Sequence, residues 1–269
     1  MKISISNLAW DPVFDNQVAE LLHKYHIFGV DLAPTKIWSH PVSISRADIL
    51  KYHQFWTAKG ISVVGIQSLL FGHPEMEIFK DNNTRNDTLE YLRNISRLSH
   101  QLGARVLVFG SPKNRLVGTL EKSEVNKIAT AFFSKVSDVC QHYNLIFCLE
   151  PNPVQYGCDF ITTHQEAIEL VKMINHPAFR INLDISTMTI NGEDYLKTIT
   201  AALPWSGHIH ISEPNLVSVG EGITDHLKIA SILNSLNYEG WVSIEMKEQP
   251  GDTFAAVEKA IKYVAGTYK

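Results

Sequence analysis

Eight short apolar runs, each rich in β-branched or aromatic residues, alternate along this chain with stretches of helical period. The runs cover residues 2–8, 28–32, 61–68, 105–109, 144–150, 179–185, 207–212 and 241–246. Helical stretches fill 16–26, 46–59, 87–102, 121–143, 163–174, 193–203, 225–236 and 253–267. In the 163–174 stretch Ala167, Leu170, Val171 and Ile174 fall at i, i+3, i+4 and i+7, one face of a helix. Gly103 ends the 87–102 stretch as a helix stop. Strands such as Val106-Leu107-Val108-Phe109 are continuously apolar rather than alternating, the pattern of strands covered on both faces. Strand–helix alternation of this kind implies a parallel sheet.

Eight units in about 250 residues is the stoichiometry of a TIM barrel, and the chain has 269. An open doubly wound sheet is disfavoured. Its glycine-rich phosphate loop would follow the first strand, where this chain reads Asn7-Leu8-Ala9-Trp10-Asp11-Pro12. With no linker or low-complexity segment, the expectation is one (β/α)8 domain over residues 1–269.

Four of the runs carry a polar residue at their end or within two positions of it: Glu150, Asp184, His210 and Glu245. These sit 34, 26 and 35 positions apart, about one strand-plus-helix unit each. Side chains at the same end of successive parallel strands must converge, and in a TIM barrel that end carries the active site. Three converging carboxylates and an imidazole need a cation to offset their repulsion and desolvation. Oxygen-rich ligation with one imidazole suits one divalent ion, Mn, Co, Zn or Mg.

Around this set the sequence offers further candidates. His208 shares a strand face with His210. Lys247 shares a face with Glu245, and the loop after strand four carries Lys113 and Arg115. Together with Lys36 these cations are expected to suit a substrate carboxylate or phosphate. Trp10 and Trp38 follow strands one and two and are candidate pocket walls, whereas His73 reads as structural.

Composition narrows the partners. The net charge is −4 and no basic run exceeds two residues, which argues against nucleic acid or an anionic membrane. No stretch approaches the ~18 apolar residues of a spanning helix. MKISISNLAW is too short and polar for a signal peptide and reads as a first strand. The three cysteines are an odd count, and Cys148 lies inside an apolar run. A reduced, cytoplasmic protein without disulfides is expected.

With these residues in place, the chain resembles the sugar phosphate isomerase/epimerase superfamily, the xylose isomerase-like TIM barrels. Its members include ketose 3-epimerases, hydroxypyruvate isomerases and inosose dehydratases. Leu149-Glu150-Pro151, Asn182-Leu183-Asp184, His208-Ile209-His210 and Ser243-Ile244-Glu245 carry the resemblance. It implies that Glu150, Asp184, His210 and Glu245 bind one divalent metal, and that Glu150 and Glu245 are the catalytic acid/base pair. A small carbohydrate-like substrate is implied with them.

The chain departs from the ketose epimerases around the substrate. Thr187 stands where they carry a histidine, Leu216 where they carry an arginine, and Pro153-Val154-Gln155-Tyr156-Gly157 where they carry a second glutamate. Glu213 and Asn215 offer other contacts there.

The leading expectation is an isomerase or epimerase moving a proton on an α-hydroxy carbonyl compound. A dehydratase of a cyclic polyol or keto acid would use the same cage. An AP endonuclease-like activity needs histidines absent after strands four and six, where Phe109-Gly110-Ser111 and Thr187 stand. A non-catalytic barrel is the remaining alternative. Barrels of this type often form homo-oligomers, and no patch in the sequence is assignable to an interface.

Overall fold

The computed structural model describes residues 1–268. Eight strands, β1 Lys2–Ser6, β2 Gly29–Leu32, β3 Ser62–Ile66, β4 Val106–Phe109, β5 Ile146–Leu149, β6 Phe179–Asp184, β7 Ser206–Ser212 and β8 Trp241–Glu245, pair in chain order. All pairings are parallel, and Ile5 opposite Ile244 closes the barrel between β1 and β8. The expected (β/α)8 architecture is therefore the observed one.

The helices are α1 Asp15–Lys24, α2 Pro34–Ile37, α3 Arg46–Thr57, α4 Asn82–Gln101, α5 Lys122–His142, α6 His164–Ile174, α7 Ile185–Asn191, α8 Tyr195–Ala202, α9 His226–Ser235 and α10 Thr253–Thr267. Eight of them are crossovers that cover the barrel. Val171 of α6 and Val264 of α10 are buried with strand residues such as Phe147, Phe179 and Ile244 in one apolar core. This double cover explains why the strands read as unbroken apolar runs.

Local signals set the helix ends. Thr163 caps α6 in a reciprocal box with Glu166. Gly103 follows α4 with φ +81°, a conformation that glycine adopts without a side-chain clash, and its N–H donates to the His100 carbonyl. Helix α4 starts at Asn82, five residues ahead of the expected 87, because Asp81 accepts the Thr84 N–H. The short helices α2 and α7 were not expected; each follows a strand directly at the C-terminal end of the barrel.

Cys140, Cys148 and Cys158 are free and buried. Among the described residues no helix is long and apolar enough to cross a membrane.

Candidate functional site

Parallel register brings the four strand-end residues together. Asp184 on β6 lies opposite His210 on β7, and Ser212 on β7 lies opposite Glu245 on β8. Glu150 is the first residue after β5. One ligand-capable atom from each of Glu150, Asp184, His210 and Glu245 lies within 4.8 Å of all the others. His210 Nδ1 is 3.3 Å from Glu150 Oε2 and 3.2 Å from Glu245 Oε2. Neither ring nitrogen of His210 makes an aligned hydrogen bond, although the ring is fully buried. An imidazole nitrogen without a donor role, beside three oxygen ligands, fits a single hard-to-borderline divalent cation.

Each carboxylate is held from behind. Asn152 Nδ2 donates to Glu150 Oε1 and Asn182 Nδ2 to Glu150 Oε2, both at 2.8 Å. Gln67 Nε2 donates to Glu245 Oε1 at 2.6 Å. Asp184 accepts from the Ser186 hydroxyl, the Thr187 N–H and the Ser212 hydroxyl at 2.6–2.8 Å, and so caps α7 as well. Gly110 leaves the space that Glu150 occupies, since a Cβ there would stand 2.8 Å from Glu150 Oε1.

The electrostatics show what a cation would relieve. Burial, then the charges of Glu150 and Glu245, push the Asp184 carboxyl up to about 6. Burial also opposes the charged form of Glu150, but His210, Asn152 and Asn182 outweigh it and hold the group below its ordinary value. Burial opposes protonation of His210, yet Glu245, Asp31 and Glu150 together raise it well above its ordinary value.

A residue that sequence reasoning missed lies one layer deeper. Asp31, at the centre of β2, is fully buried and accepts the His208 Nε2–H at 2.7 Å and the Gly65 N–H at 3.1 Å. Its Oδ2 is 3.8 Å from His210 Nε2. Burial works against its charge, but His208 and His210 hold it well below the usual carboxylate range. Asp31, His208 and His210 also approach within 4.8 Å of one another, but the 2.7 Å contact makes this a hydrogen-bonded relay behind the cluster. The visible signal was a charged residue inside an apolar strand, which must find a buried partner.

Above the four residues opens a cavity of about 260 Å³. Glu150, Asp184 and Glu245 line it, with Gln67, Ser68, Val108, Gly110, Ser111, Pro112, Asn152, Tyr156, Ser186, Thr187 and Leu216. The Asn215 N–H donates to the Tyr156 hydroxyl at 2.8 Å and ties the loops after β5 and β7 together.

The expected flanking residues are distributed differently. His208 lies beneath His210 and faces Asp31, away from the cavity lining. Arg115 is fully buried, its Nη2 donating to the Glu150 carbonyl at 2.7 Å and to Asn152 Oδ1 at 3.0 Å, so it braces the loop; its Nε and Nη1 are buried without partners, and it does not line the cavity. Lys113 and Lys247 are exposed and outside the cavity lining. Lys36 points to the Leu8 carbonyl and Glu248. Trp10 is core, with its Nε1–H on Asp15 Oδ1 at 2.8 Å, and Trp38 packs edge-on against Tyr52. Glu213 is buried and accepts from Thr224 N–H and Gly220 N–H, with His226 Nε2 at 3.1 Å, so it organises the loop after β7.

A parallel barrel with this polar cluster at its C-terminal end is the layout of a TIM-barrel active site. The family model described as xylose isomerase-like TIM barrel matches residues 19–265, and the chain belongs to that family. It is similar to a D-psicose 3-epimerase of Ruminiclostridium cellulolyticum, 29% identical over 120 residues, 45% of this chain and 40% of that protein. A probable ketose 3-epimerase of Synechocystis is 27% identical over 169 residues, 62% of this chain and 58% of that protein. A putative hydroxypyruvate isomerase of Danio rerio is 31% identical over 110 residues, 39% of this chain and 38% of that protein. The matched segments thus span less than two thirds of these relatives. Among solved structures, the D-psicose 3-epimerase of Clostridium cellulolyticum with D-tagatose superposes with TM-score 0.82 at 17% identity, over 100% of both chains. The Escherichia coli 3-keto-D-glucoside 4-epimerase gives 0.81 at 17% identity, over 99% of both chains. At that identity the likeness is one of fold.

Proposed function

We propose that this chain is a divalent-metal-dependent isomerase or epimerase of sugars or sugar-like α-hydroxy carbonyl compounds. The observation that carries the reading is the placement of Glu150 and Glu245. Both line one small cavity, both lie within 3.3 Å of His210 Nδ1, and each is anchored by a side-chain amide. Removing a proton next to a carbonyl is slow because the resulting anion is unstable in water. A divalent cation held by Glu150, Asp184, His210 and Glu245 would polarise the substrate's carbonyl and hydroxyl oxygens.

The protein's own part is acid/base work. One of Glu150 and Glu245 removes the proton and the other returns one, either to the same carbon from the opposite face, which inverts the stereocentre, or to the neighbouring carbon, which moves the carbonyl. Their amide anchors fix the carboxylates so that little reorganisation accompanies proton transfer. The cavity lining carries hydroxyl and amide groups and no lysine or arginine, which favours a neutral, hydroxyl-rich substrate over a phosphorylated one. This replaces the expectation of an anion site, because Lys113, Arg115 and Lys247 do not reach the cavity.

The test is solvent exchange. Manganese-loaded protein incubated in D2O with ketoses and their glycosides should place deuterium on a carbon next to the carbonyl, read by mass spectrometry and NMR. Glu150→Gln and Glu245→Gln should each lower the rate by about 100-fold or more with the fold intact. Full turnover in both variants would sink the proposal, and loss of water from the product would move the assignment to a dehydratase.

A further inference from the structure

A second concavity of about 330 Å³ adjoins the metal cavity. It lies between the loops after β3 and β4 and shares Ser68, Ser111 and Pro112 with the first, so the two spaces adjoin across these residues. The metal cavity alone, at about 260 Å³, is smaller than the roughly 300 Å³ at which pockets for drug-sized ligands begin. It suits one small sugar unit, and the groove more than doubles the space.

Three features mark this groove as a built site. The shared wall holds two non-glycine residues in left-handed conformation, Ser68 at φ +56° and Ser111 at φ +41°. Such backbone persists where surrounding structure enforces it, and it concentrates at ligand sites. The two loops are also cross-braced: Asn114 Nδ2 donates to the His73 and Met76 carbonyls, and the Ile78 N–H donates to the Asn114 carbonyl. Finally, Phe71 lines the groove with 70% of its surface exposed, the most exposed phenylalanine in the structure. An aromatic face held open on a rigid loop is a platform for the apolar face of a sugar ring.

Beside the shared wall, the metal cavity has an unmet acceptor on Gln67. Because Gln67 directs its amide nitrogen to the Glu245 carboxylate, its Oε1 faces the other way. That oxygen is buried and has no hydrogen-bond partner. A substrate hydroxyl would satisfy it, whereas an anionic group would not.

From this adjacency we propose that the natural substrate is a glycoside of at least two units that spans the shared wall. The reacting unit lies over Glu150 and Glu245, and a second sugar ring lies in the groove on Phe71, where Lys113 and His73 also line the wall. The inference rests on the reading of the metal cavity as a carbohydrate site, and extends it from a monosaccharide to a linked pair.

Calorimetry on the manganese-loaded protein tests it. The probes are D-fructose and three glucosyl-fructoses of different linkage: turanose, maltulose and isomaltulose. At least one disaccharide should bind about tenfold more tightly than fructose, a difference of about 1.4 kcal/mol. Phe71→Ala should erase that advantage while leaving fructose and manganese affinity unchanged, and Phe71→Trp should keep it. No disaccharide advantage, or an equal loss for fructose and disaccharide in Phe71→Ala, overturns the proposal. Deuterium exchange run alongside separates the two readings. Exchange on fructose without a disaccharide advantage removes the groove and keeps the isomerase. A disaccharide advantage lost in Phe71→Ala, with no exchange on any probe, keeps the groove and removes the isomerase.

Discussion

Replacing Asp31 with asparagine isolates the relay behind the cluster. The carboxylate accepts two hydrogen bonds, from Gly65 N–H at 3.1 Å and His208 Nε2–H at 2.7 Å, and stands 3.8 Å from His210 Nε2. Removing one partner of a buried ionic pair typically costs about 3–5 kcal/mol. Asparagine keeps the volume and one acceptor oxygen, so the loss should fall nearer 2–3 kcal/mol. At roughly 2–4 °C per kcal/mol for a chain of this size, Tm should drop by about 5–10 °C. The more informative readout is metal affinity. Asp31 backs the second nitrogen of His210 at 3.8 Å without a hydrogen bond, and removing the charge behind a histidine ligand should weaken binding about 10-fold. Titration calorimetry with Mn²⁺ on wild type, Asp31→Asn and Asp31→Ala should show that order of loss. Wild-type affinity in an Asp31→Asn protein that is nevertheless destabilised would refute the link between the relay and the cluster.

Three further outcomes are expected. Gly110→Ala should weaken Mn²⁺ binding about tenfold in calorimetry, with a small change in Tm, because its Cβ would stand 2.8 Å from Glu150 Oε1 and displace that carboxylate. Burial opposes the charge of Glu213, but its bonds with His226 and Thr224 bring the carboxyl down to about 2, from 4.5 when free. A depressed carboxyl stabilises the fold in full above the free value and loses that contribution as pH falls from 4.5 toward 2. Glu213→Gln should therefore lower Tm at pH 7, by an effect of about 2 kcal/mol, and flatten the acid limb of a Tm–pH profile. Tyr156→Phe removes the hydroxyl that accepts the Asn215 N–H, and should raise KM for a turned-over sugar severalfold while leaving metal affinity unchanged.

How much of this was legible in the sequence follows from range. Strands buried on both faces must be apolar throughout, so all eight showed in the composition of short windows. Strand-end residues one β/α unit apart must converge in a parallel barrel, so Glu150, Asp184, His210 and Glu245 were readable from spacing alone. The parts that misled depend on contacts distant in sequence. Arg115 sits in a loop that looks solvent-facing, and only the fold brings Asn152 and the Glu150 carbonyl to it. Glu213 looked free because its partner His226 is thirteen residues further on. Asp31 was passed over because its partner His208 lies 177 positions away, across the barrel. Trp10 follows a strand as pocket walls do, but Asp15 draws its indole N–H inward.

The central claim is that Glu150, Asp184, His210 and Glu245 form one divalent-metal site. Inductively coupled plasma mass spectrometry on wild type and Glu245→Ala, purified side by side, tests it most directly. The account predicts about one Mn, Co, Zn or Mg per wild-type chain and its loss from the variant, with the circular dichroism spectrum unchanged. No metal in the wild type, even after incubation with excess divalent ions, would contradict it.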